Sequence, residues 1–162
     1  MKIFILVLSI FIAAFFQATF LNHFMLFNVK PDLLLVCVVV ISTLLPFKWA
    51  LGLSVFAGIL KDTFIVQGFG VNTALFALWS WLIFETEKKI SLENEIVPLV
   101  LIAIISFLHN LLTGLIMIYL GKPVTIGHYT RILFIATFYT TLIFPLVQKL
   151  LRKFSLFKWQ IF

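Results

Sequence analysis

Pro31-Asp32-Leu33-Leu34-Leu35-Val36-Cys37-Val38-Val39-Val40-Ile41-Ser42-Thr43-Leu44-Leu45-Pro46 is the stretch that decides the fold class. From Leu33 to Ile41 no polar side chain interrupts it. A strand of a membrane barrel would place a polar residue at every second position, facing the lumen. In hydrocarbon only helices and closed barrels satisfy every backbone N–H and C=O. An unbroken apolar run therefore reads as a helix, ended by a proline that cannot continue it.

Working outward, the same pattern recurs along the chain. Apolar segments cover about 3–21, 33–45, 49–66, 71–84, 96–120 and 129–147, separated by short breaks such as Pro46–Lys48, Gly68–Gly70 and Gly121–Lys122–Pro123. Of the 162 residues 63% are hydrophobic and 11% are charged. A soluble domain lies nearer about half apolar and about a quarter charged, and a chain this short cannot cover so much apolar mass with polar surface. These observations predict an all-α integral membrane protein of about six transmembrane helices, one polytopic domain over residues 1–162. The first apolar run is too long for the ~7–15-residue core of a signal peptide and reads as an anchor.

The formal charge of +6 does not point to nucleic acid, because the basic residues sit at the ends of apolar runs and no helix carries a basic stripe. Membrane headgroups explain them better. With the N-terminus inside, Lys2, Lys48, Lys88, Lys89, Lys149, Arg152, Lys153 and Lys158 share one face, against Lys30, Lys61, Lys122 and Arg131 on the other. The positive-inside rule then puts both termini in the cytoplasm of a multi-pass inner-membrane protein. A single cysteine, Cys37, can form no internal disulfide.

Few residues could carry chemistry. On the third helix Ser54, Gly58 and Asp62 recur at four-residue spacing, shortly after Gly52, and small residues on one face let a neighbouring backbone approach. Asp62 ends that track. A carboxylate at such a place must find a partner, and Asn72 or Arg131 are the candidates. It is either a binding carboxylate or a cap on the Gly68–Gly70 turn. A cap uses acceptor oxygens and not charge, so asparagine would serve it. Asp32 suits the N-cap of the second helix. Ser106, Asn110 and Thr113 form a polar stripe on the fifth helix with His109 beside it, readable as interhelical hydrogen bonds or a proton relay. Gln17 lies in a small-residue track with Ala13, Ala14 and Ala18. Ser91, Glu93 and Glu95 suit the start of the fifth helix. No histidines or carboxylates fall at metal-ligand spacing, and no nucleophile elbow or phosphate loop is present. Neither catalysis nor a cofactor is expected.

Between Lys30 and Leu82 the ordered set Pro31–Asp32–Leu33–Leu34–Leu35, Gly52, Ala57–Gly58, Asp62, Gly68, Gly70, Asn72 and Ala74 resembles the rod shape-determining MreD family. The whole chain is similar to it in length, in about six spans and in a short basic C-terminus. The resemblance implies a non-catalytic scaffold subunit of the bacterial elongation complex, which binds the bitopic protein MreC and supports lateral peptidoglycan synthesis and rod shape. It further implies association with RodA, a class B penicillin-binding protein and MreB. It also implies a fold similar to the S subunits of energy-coupling-factor transporters. The alternative is accordingly a substrate-binding S-type subunit of a vitamin transporter, for which Ala14-x-x-x-Ala18 has the form of a docking motif. A small enzyme of lipid metabolism is a third reading without a motif.

Overall fold

The computed structural model describes residues 2–19, 29–64, 70–90, 96–121 and 125–154. Gly68, the cap residues Ser91, Glu93 and Glu95, and the break at Lys122–Pro123 lie outside the described residues. The described chain is helical: α1 (Lys2–Ala18), α2 (Leu33–Leu44), α3 (Phe47–Thr63), α4 (Val71–Glu87), α5 (Ile96–Tyr119), α6 (Ile126–Arg131) and α7 (Thr137–Phe154). A π-helical stretch over Ile132–Ala136 joins α6 to α7. Ile96–Tyr119 and Ile126–Lys153 are long and apolar enough to cross a membrane; Ile3–Ala18 and Leu33–Leu44 are shorter apolar helices.

The stretch that decided the fold class becomes the core. Leu34 through Ser42 are all buried, and α2 packs against α1, α3, α4, α5 and α7. A helix apolar all round needs such cover on every side. With 12 residues it is about 18 Å long, short of the ~30 Å hydrocarbon thickness. Enclosure by protein makes that length acceptable. Pro46 stands between α2 and α3, and its carbonyl accepts from the amides of Trp49 and Ala50 at the start of α3.

The outer faces are as apolar as the centre. Phe4, Phe11 and Phe15 on α1, Ile104 and Leu115 on α5, and Phe138, Leu142 and Leu146 on α7 are all exposed. In water such a surface would be an aggregation hazard; in a bilayer it is ordinary. The last helix starts at Ile126, earlier than the expected position near 129, because Ile126–Arg131 and the π stretch extend α7.

Candidate functional site

Two polar centres lie at the same end of α3, where Lys61 and Asp62 follow each other. Neighbouring helical residues point about 100° apart, so the two side chains serve different centres.

Asp62 turns towards α4 and is fully buried. Its Oδ1 accepts from the Asn72 backbone amide at 3.0 Å and from Asn72 Nδ2 at 2.8 Å. Its Oδ2 accepts from Gly70 N at 3.0 Å, Thr73 N at 2.9 Å and Thr73 Oγ1 at 2.6 Å. These amides open α4 and have no partner within their own helix; a side chain from α3 supplies what a local cap would. Gly70, with φ of +95°, turns the chain into α4 through a conformation that favours glycine. Of the two partners expected for Asp62, Asn72 is in place and Arg131 is not.

The close approach occurs one turn earlier. A Cβ on Gly58 would lie 2.4 Å from Thr73 Cα and 3.0 Å from the Asn72 carbonyl oxygen. Gly58 is therefore the point where α3 meets the backbone of α4. Gly52 is different: it is exposed, and a Cβ there would meet nothing within 4 Å. The packing seam runs through Ser54, Gly58 and Asp62, all buried, and leaves Gly52 out.

The second centre gathers residues from most of the bundle. Asp32 caps α2, its Oδ1 accepting from Leu35 N at 3.1 Å. The same oxygen accepts from Gln17 Nε2 of α1 at 3.3 Å, while Gln17 Oε1 accepts from Leu34 N at 3.0 Å. The Asp32 amide donates to Thr140 Oγ1 of α7 at 3.1 Å. Its other carboxylate oxygen pairs with the Lys61 ammonium, which stands 2.8 Å from His109 Nε2 on α5 and 5.0 Å from the Phe76 ring centre on α4. The Trp79 indole N–H donates to His109 Nδ1 at 3.2 Å. An indole only donates, so Nδ1 accepts and the proton of a neutral ring sits on Nε2. Asp32 Oδ2 pairs with Lys61 and lies 3.7 Å from Nε2, beyond hydrogen-bond reach. His109 thus takes the Trp79 bond at Nδ1 and faces Lys61 and Asp32 with Nε2.

A cavity of about 290 Å³ borders this centre, lined by Gln17, Pro31, Asp32, Lys61, Asn110 and His128 among others. The rest of the α5 stripe is mixed. Asn110 donates to Thr137 Oγ1 of α7 at 3.3 Å, whereas the Ser106 and Thr113 hydroxyls are buried without a partner. Among the described residues no group of three or more His, Cys, Asp and Glu side chains could hold a metal ion.

The sequence reading placed Asp32 and Asp62 but missed the roles of Lys61, Trp79 and Thr140. No spacing rule links Lys61 to Asp32 and His109, which come together only through the tertiary fold.

Comparison with curated proteins and with solved structures gave no match. The family model of the rod shape-determining protein MreD matches residues 1–154, nearly the whole length, and the chain therefore belongs to the MreD family.

Proposed function

We propose that this member of the rod-shape machinery acts as a non-catalytic scaffold. It would cross the inner membrane six times with both termini in the cytoplasm, in a fold related to the transporter S subunits. It would bind an MreC-like bitopic protein, and through it join RodA, a class B penicillin-binding protein and MreB in lateral wall synthesis. One observation carries this reading: Asp62, buried in the bundle, and Asp32 and Lys61, largely enclosed by it, are bonded to other parts of the same chain. An enzyme or a carrier needs such groups free to meet a substrate, whereas a scaffold needs them to hold shape. The family description speaks of shape determination, and nothing in it favours the vitamin-transporter alternative.

The test is complementation joined to co-purification. Cells depleted of the native protein and supplied with a tagged chain should stay rod-shaped, and the tag should recover the MreC partner from native membranes. Normal rods without recovery of MreC would remove the proposed partner. Tight binding of a vitamin to the purified chain would favour the transporter.

A further inference from the structure

About 12 Å along α7 from Thr140, at the rise of ~1.5 Å per residue, a third polar feature plays no part in either centre. Between the first turn of α5 and the last turns of α7 lies a cavity of about 460 Å³, lined by Ile96, Leu99, Pro145, Gln148, Lys149 and Arg152. The four α7 residues stand at i, i+3, i+4 and i+7 and so share one face. Gln148 is 6% exposed, and its amide nitrogen is buried without a hydrogen-bond partner. A buried donor left unpaired is costly, and one lining a cavity with two cations calls for an acceptor there.

The polar side chains in this lining are Gln148, Lys149 and Arg152, and no acid is among them. Neither Lys149 nor Arg152 makes an ion pair among the described residues. The remaining walls, Ile96, Leu99 and Pro145, are apolar, and Ile96 and Pro145 are exposed on the outer surface of the bundle. The ligand that suits these walls has an anionic head and an apolar body, and reaches the cavity sideways from the bilayer. Basic pockets between helices at a membrane surface take lipid phosphates in this manner.

We propose that this cavity binds an anionic phospholipid. Lys149, Arg152 and the Gln148 amide hold its phosphate, while the start of an acyl chain lies along Leu99 and Pro145.

The full chain, purified in detergent and placed in phosphatidylcholine nanodiscs doped with phosphatidylglycerol, tests this by native mass spectrometry of retained lipid. The unaltered protein should retain phosphatidylglycerol over phosphatidylcholine. Lys149→Gln and Arg152→Gln should each weaken retention about fivefold, from ~1 kcal/mol per basic residue near a membrane surface. Gln148→Leu should weaken it severalfold with every charge still present, which a merely basic surface would not do. Arg131→Gln, far from the cavity, should change nothing. Should Gln148→Leu fail to fold, Arg152→Gln, a half-buried position that keeps a polar side chain, still decides the matter. Unchanged retention in Arg152→Gln, or in a folded Gln148→Leu, would overturn the proposal. So would displacement of the lipid by inorganic phosphate, which would make this a site for soluble anions.

Discussion

Asp32→Asn separates two jobs that one carboxylate performs. Asparagine is as good an N-cap as aspartate, so its oxygen can keep the Leu35 amide. What it loses is the charge facing Lys61, and its own NH2 would then point at an ammonium and an imidazole N–H. The two side chains of the pair are 14% and 13% exposed, so little water is at hand to solvate an abandoned cation. Breaking a buried pair on one side costs about 3–5 kcal/mol, whereas loss of a cap alone costs about 1 kcal/mol. Against a total stability of ~5–15 kcal/mol the charge term decides the outcome. Asp32→Asn should be strongly destabilised although its cap is intact. Lys61→Met keeps most of the apolar stem and removes the cation that stands over the Phe76 ring. In the double variant Asp32→Asn/Lys61→Met no charge is stranded, and a buried ion pair replaced on both sides is often neutral. The double variant should therefore recover about 2 kcal/mol or more relative to the sum of the singles. Reversible unfolding of the four proteins in mixed micelles measures that coupling. A fully additive cycle, or an Asp32→Asn protein within about 1 kcal/mol of the parent, would show that Lys61 is not held by this carboxylate and would refute the argument.

At Asp62 both oxygens accept, so Asp62→Asn must set an NH2 against amide donors; it should lose about 1–3 kcal/mol, close to Asp62→Ala, and give rounded cells with less protein. Normal abundance and rod shape in Asp62→Asn would show that one acceptor suffices. Gly58→Leu should abolish folded protein, because no side chain fits 2.4 Å from the Thr73 backbone, while Gly52→Ala, in open space, should be neutral or up to ~1 kcal/mol more stable through helix propensity; immunoblots of membrane fractions distinguish the two. Lys88 and Lys89 should be shielded from an impermeant amine reagent in intact cells and react in inverted vesicles. Labelling in intact cells would reverse the proposed orientation.

What the sequence disclosed, and what it hid, follows from the range of each interaction. The Asp32 cap is a contact three residues long, and the Ser54–Gly58–Asp62 seam follows from helical periodicity, so both were legible. Even there the local pattern has limits. It offered a cap as one of two readings of Asp62 but could not say that five donors would occupy both of its oxygens, and with that number asparagine is expected to serve less well. Gly52 looks like a member of the small-residue track by proximity, yet it stands two positions before Ser54 and so falls on another face. Lys61 reads as an awkward charge beside Asp62, because its partners are 29 and 48 residues away. Only the packing of α2, α3 and α5 brings them within reach.

The adjacency of Lys61 and Asp62 has a mechanical consequence. Apolar side chains do not drive helices together in lipid as they do in water, so a membrane bundle takes its register from close backbone contact and from polar groups that meet across helices. Here consecutive residues of α3 tie that helix to different neighbours. Asp62 fastens it to the opening of α4, and Lys61 fastens it to the α2 cap and to α5. The Asp32 carboxylate adds α1 through Gln17, and the Asp32 amide adds α7 through Thr140. A rotation of α3 that improved one set of bonds would spoil the other, since the two side chains are fixed about 100° apart. The end of α3 is therefore locked in angle as well as in height. A bundle locked at one end can present a constant surface to partner proteins.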